Sequence, residues 1–157
     1  MAKRYRGKSS KKRLILDTTY VLPILGIEVR GLDHEILNRL LQRYELCYPA
    51  LLLTELKGVV LKEVRKRGLK EVPEQATRGL DYLVYSGAIN IILPTGEDLK
   101  IMYELLRHGW KDIFDLLLYA TAVRTDSRVL TMDRSFKEFL KRHGFRHELL
   151  ITHRELE

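Results

Sequence analysis

A single cysteine, Cys47, among 157 residues allows no internal disulfide and no cysteine-based zinc site. That usage belongs to a reducing compartment, and a cytoplasmic location is expected. Amides are almost missing too, with only Asn38, Asn90, Gln42 and Gln75. Their scarcity beside 31% charged residues is a thermophile-like bias. No apolar run approaches the roughly 18 residues a membrane helix needs. The basic start followed by Leu14-Ile15-Leu16 resembles a signal peptide only until Asp17 puts a charge into the would-be apolar segment. The glycine-rich phosphate loops of NTP and dinucleotide sites are missing, which leaves nucleotide binding through them unsupported. His143 and His147 are four apart, but Gly144 breaks the helix that would align them on a zinc ion.

What is present is one domain's worth of chain, 45% apolar, since two halves of this length would each lack a solid core. The charge is lopsided. Lys3, Arg4, Arg6, Lys8, Lys11, Lys12 and Arg13 are seven cations with no acid among the first 13 residues. The rest of the chain then holds 28 − 7 = 21 Lys and Arg against 21 Asp and Glu, so the whole net charge of +7 sits in that segment. It has too little apolar surface to fold and is expected to be a flexible basic arm over residues 1–13, ahead of a single domain over 14–157. Two readings of the arm stand open: RNA binding through those seven cations, or a solubilising tail.

Along the domain, short apolar runs alternate with amphipathic stretches. Strands are expected at Arg13–Asp17, Leu46–Pro49, Ile89–Leu93, Arg128–Met132 and Leu149–Thr152. Helices are expected at 33–45 (capped by Asp33), from about 50 to Arg67, at 74–86, at Glu97–His108, at Asp112–Arg124 and at Ser135–His143. Gly68, Gly87, Gly109 and Gly144 stop four of them. Tyr103 and Tyr119 fall on helical stripes and are expected in the core. Strands apolar throughout and separated by helices predict a parallel sheet buried on both faces.

Ligands of such sheets bind beyond the carboxyl ends of the strands, where strand order reverses. Four acids are placed there by topology. Asp17 ends the first strand and Asp133 follows the fourth. Glu55 lies early in the helix leaving the second strand, and Asp115 in the first turn of the helix that leads to the fourth. Crowded carboxylates repel unless a cation sits among them, and hard oxygen donors suit Mg²⁺ or Mn²⁺. Each acid also has a plain alternative. Asp17 and Asp133 can cap helices, Asp115 can answer a helix dipole, and Glu55 can be a solvated helix residue. Yet Asp17 and Asp115 both interrupt apolar runs, where an uncompensated charge is costly. Asp112 reads as an N-cap or as a further acid of the site. Trp110 reads as an anchor of its helix start in preference to a platform for a base.

Leu14-Ile-Leu-Asp17-Thr-Thr, Pro49-Ala-Leu-Leu-Leu-Thr-Glu55-Leu, Asp115-Leu-Leu-Leu-Tyr-Ala-Thr-Ala122 and Val129-Leu-Thr-Met-Asp133-Arg-Ser-Phe136 together resemble the PIN-domain nucleases, in order and spacing, over about residues 13–152. The resemblance implies a three-layer α/β/α sandwich around a mainly parallel sheet, and Mg²⁺- or Mn²⁺-dependent endonucleolytic cleavage of RNA. It implies Asp17, Glu55, Asp115 and Asp133 as catalytic metal ligands, with Thr18 or Thr19 and Thr131 as supporting hydroxyls. It leaves an antitoxin, a ribosome-processing partner and a homodimer open. The alternative function is a non-catalytic RNA-binding scaffold that keeps this fold.

Overall fold

Leu14, Ile15 and Leu16 are all fully buried, although successive strand residues face opposite sides of a sheet. Both faces of their strand must therefore be covered, and the computed structural model, which describes residues 11–156, shows why. Strand β1 (Lys12–Leu16) lies at the centre of a five-stranded sheet with β2 (Tyr44–Pro49), β3 (Asn90–Ile92), β4 (Arg128–Leu130) and β5 (Leu150–Ile151), in the order β3-β2-β1-β4-β5. Every pairing is parallel, running Lys12↔Tyr44 to Ile15↔Cys47 on one side of β1 and Leu14↔Arg128 to Leu16↔Leu130 on the other.

The connections are α1 (Thr18–Val21), which runs into a 3-10 turn at Leu22–Leu25, α2 (Ile36–Arg43), α3 (Leu52–Lys66), α4 (Glu74–Tyr85), α5 (Glu97–Arg107), α6 (Ile113–Thr125) and α7 (Arg134–Arg142). Parallel crossovers are right-handed, so reversing the direction of travel between β3 and β4 moves the later helices to the opposite face. The result is the three-layer α/β/α sandwich expected. The reversal falls between β1 and β4. No described helix is long and apolar enough to cross a membrane.

The structure corrects several local expectations. β1 begins at Lys12, so Lys12 and Arg13 are strand residues, and Lys11 Nζ donates to Leu41 O at 2.9 Å. The basic arm thus gives its last cations to the domain, while Lys3, Arg4, Arg6 and Lys8 lie outside the described residues. Asp33 does not cap α2. It accepts from Glu35 N at 2.9 Å and holds Arg39 at 2.8 Å, tightening the turn ahead of the helix. Tyr119 is buried as expected, but Tyr103 is 62% exposed, because the stripe it shares with Leu99 and Leu106 faces out.

Candidate active site

The carboxyl edge of the sheet is built from helix starts. Asp17 is the N-cap of α1, its Oδ1 accepting from Thr18 N at 2.7 Å. Asp133 caps α7, accepting from Phe136 N at 3.0 Å. Asp112 caps α6, its Oδ1 accepting from Phe114 N at 2.9 Å and Asp115 N at 3.2 Å. The plain structural roles are therefore real. A cap spends one carboxylate oxygen on the backbone and fixes the direction of the other. Oδ2 of Asp112 and of Asp133 has no hydrogen-bond donor among the described residues.

Asp17 and Asp133 are tied at the point where strand order reverses. Asp17 N donates to Leu130 O at 3.0 Å, extending the β1–β4 ladder past its last strand residue. Thr131 Oγ1 donates to Asp17 Oδ2 at 2.8 Å and accepts from Asp133 N at 3.1 Å. One hydroxyl thus bonds both Asp17 and the backbone of Asp133. Thr18 acts on Glu55, whose carboxyl its hydroxyl pulls down against burial, and on Tyr48. Its hydroxyl meets the buried Tyr48 hydroxyl at 2.9 Å, and Tyr48 donates onward to Leu52 O at 3.0 Å. That relay ties α1 to the first turn of α3, three residues before Glu55. Thr19 is half-buried, and its hydroxyl bonds none of the acids.

Asp115 has a partner that sequence reasoning missed. Trp110 Nε1 donates to Asp115 Oδ2 at 2.9 Å, while its ring lies 5.0 Å from both Phe136 and Phe139. The expected anchor is there, and it also aims a carboxylate. The five-residue spacing of Trp110 and Asp115 across a helix start was the available signal.

The electrostatics show which acids the fold brings together. Asp115 is pushed up from 3.8 to about 7, first by burial and then by the charges of Asp112, Asp133 and Asp17, against the pull of the Trp110 bond. Asp17 is raised by burial and by Asp133 and Asp112, opposed by its bonds from Thr131 and Thr18 N. Glu55 is raised by burial and by Asp17 and Asp112, with the Thr18 hydroxyl opposing. Asp112 thus acts on three of its neighbours as well as capping α6. Asp115 and Asp133 are not among the causes of the Glu55 shift. Among the described residues no three acidic, His or Cys side chains are already close enough together to chelate an ion.

Comparison with known proteins gives this arrangement a context. A family model described as the PIN domain matches residues 14–141. Among solved structures, the fold is similar to a chain in the crystal structure of VapBC2 from Rickettsia felis bound to a DNA fragment from their promoter. The TM-score is 0.63 at 18% identity, over 89% of this chain and 98% of that one. It is also similar to PAE2754 from Pyrobaculum aerophilum, with a TM-score of 0.58 at 15% identity, over 86% of this chain and 83% of that one. At such identities the likeness is one of fold. Among curated proteins, none matches the chain.

Proposed function

The chain belongs to the PIN domain family, and from that premise we propose that it is a metal-dependent endoribonuclease acting through Asp17, Glu55, Asp115 and Asp133. One observation carries the reading. At the sheet's switch point burial raises Asp115 to about 7 with the charges of Asp112, Asp133 and Asp17 adding to it, and burial with Asp133 and Asp112 raises Asp17. A fold that gains nothing from such crowding would not keep a buried carboxylate among like charges.

The donor set fits Mg²⁺ or Mn²⁺. It is all hard oxygen, and several oxygens point away from any protein donor. Such an ion needs only one or two carboxylates because it keeps several of its waters. Absence of a ready-made three-ligand cage is therefore consistent with it. When bound, the ion would supply an activated water and offset charge on the phosphoryl oxygens. The remaining work falls to the chain. Asp17, fixed by Thr131 and by Thr18 N, and Asp115, fixed by Trp110, present rigid carboxylates. Asp133, held between its cap bond and Thr131, closes the group from β4. Glu55 reaches it from α3.

RNA is the proposed substrate, through phosphate and metal contacts that do not by themselves distinguish DNA. The Rickettsia felis match is to a two-component assembly on promoter DNA. That favours an antitoxin-type partner over a partner in ribosomal RNA processing. A homodimer and a cytoplasmic location complete the proposal.

The test is incubation of purified protein with RNA and DNA in Mg²⁺, Mn²⁺ or chelator, beside the triple variant Asp17→Asn, Asp115→Asn, Asp133→Asn. Cleavage that needs metal and falls by at least about a hundredfold in the variant is expected, since the groups act as a unit. Equal cleavage by the variant sinks the carboxylate mechanism. Binding without any cleavage favours the non-catalytic scaffold.

A further inference from the structure

All five strands are parallel, so their first residues gather at the edge opposite the acids. An open groove of about 950 Å³ lies there, lined by the starts of β1, β2, β3 and β4 and by the 125–127 loop. We propose that this groove is a second nucleic-acid site that holds the sugar-phosphate backbone of single-stranded RNA away from the point of cleavage. The inference rests on the ribonuclease reading above and adds to it a binding surface on the other edge of the molecule.

The charges of the groove are the first support. Lys11, Lys12, Arg13 and Arg128 line it against Glu45 and Asp126. Asp126 pairs with Arg146 at 3.0 Å, and Glu45 keeps its charge while accepting from Asn90 Nδ2 at 2.9 Å, so cations outnumber acids in the lining by four to two. The side chains of Lys12, Arg13 and Arg128 have no hydrogen bond or ion pair among the described residues. Arg13 stands directly across from Glu45 in register, yet no bridge forms. Arg128 is only partly exposed, and an unpaired guanidinium in that position is more costly to leave without an anion than a fully solvated one.

Strand geometry then selects a polymer over a compact anion. Lys12 and Arg13 are consecutive, so they leave β1 on opposite faces. Arg128 is in register with Leu14, which puts it on the Lys12 face. One small phosphate cannot sit between cations on both sides of a sheet, whereas a chain of phosphates draped across the edge meets them in turn. Tyr44 is in register with Lys12 and also lines the groove, with the Arg43 guanidinium 5.4 Å from the centre of its ring. An aromatic face among cations is the usual platform for unpaired bases.

The placement answers a problem at the other edge. A cluster of acids repels a polyanion until metal arrives, so affinity for RNA is better supplied where the carboxylates are not. The prediction is a split between binding and chemistry. A short RNA cannot span both edges and is cleaved at the acids without help from the groove, while a long RNA occupies both.

The experiment uses the full chain and the variant Lys12→Gln, Arg13→Gln, Arg128→Gln. Binding to single-stranded RNAs of about 6 and about 30 nucleotides, within and well beyond one site's footprint, is measured in chelator at several salt concentrations. Expected for the longer RNA is a loss of about tenfold in affinity and a fall of about 2 in the slope of log K against log salt, three contacts at about 0.7 each. Cleavage of the short RNA should keep its kcat. Unchanged affinity and slope for the long RNA overturn the proposal. Should the variant fold poorly, acetylation of Lys12 in the native chain decides. Protection by the long RNA supports the groove, and unaltered labelling overturns it. Because binding is read without metal, failure of the groove and failure of the cleavage reading give different results.

Discussion

At the scale of single residues, Asp115 and Trp110 make the sharpest claims. A carboxyl raised from 3.8 to about 7 in the folded chain keeps its proton there over a range in which the unfolded chain has already released it. The contribution of Asp115 to the stability of the metal-free protein should therefore be fully present below about pH 4, fall as pH rises towards 7, and level off above that. Asp17 and Glu55 are shifted in the same direction and add to the slope. Melting curves in chelator from about pH 4 to pH 8 test this, and Asp115→Asn should flatten most of the fall. A melting temperature that climbs with pH over this range would refute the crowding. Trp110→Phe keeps the packing on Phe136 and Phe139 but removes the N–H bonded to Asp115. It should lower stability by about 1 kcal/mol and raise the apparent Kd for Mn²⁺ severalfold, leaving kcat at saturating metal near the parent value. If metal titrations of the two proteins overlay, the indole is packing alone.

Elements were legible where they carry a period or a stop. The helices closed by Gly68, Gly87, Gly109 and Gly144 ended within two residues of their expected bounds, because each glycine adopts a positive φ that ends the helix. Strand ends were less legible. The first two residues of β2, Tyr44 and Glu45, are strand because they pair with Lys12 and Arg13, and pairing across 32 positions leaves no mark on either segment alone. The turn of helix at Thr18–Val21 is too short to show a period. Of the site, the acids could be read from their places at strand ends. Their hydroxyl and indole partners could not, because Thr131 and Trp110 look the same in sequence whether or not they aim a carboxylate. The packing of α4 on the 3-10 turn was equally silent. Gly79 is buried there, and an added Cβ would stand 2.9 Å from Leu25 Cα and closer still to the Ile24 carbonyl oxygen. Gly79→Ala should cost about 1–3 kcal/mol, read as a drop in Tm at about 2–4 °C per kcal/mol. The kcat of the folded fraction should persist, since α4 carries none of the acids. An undisturbed Tm would mean that the helix backs away at no cost.

For the whole molecule, the parallel sheet sorts charge by edge, acids beyond the strand ends and Lys12, Arg13 and Arg128 at the strand starts. A cation bound only by the folded chain relieves the repulsion at one edge, so Mg²⁺ or Mn²⁺ should raise the Tm in proportion to the logarithm of its concentration above Kd. The same additions to Asp17→Asn should raise it less. Equal shifts in both proteins would place the ion elsewhere.

The central position of β1 has a further consequence, in time. The strand made first is flanked by β2 on one side and β4 on the other, and the bond from Thr131 to Asp17 closes over 114 residues. Closures of that span are made late and slowly. A nascent chain that stops short of Arg128 holds β1 with one edge bare, a surface open to unwanted pairing. It also holds Asp17 without Thr131 or Asp133. On the ribonuclease proposal, cleavage would therefore begin only after most of the chain has left the ribosome, and the nascent protein would spare its own message for nearly all of its synthesis.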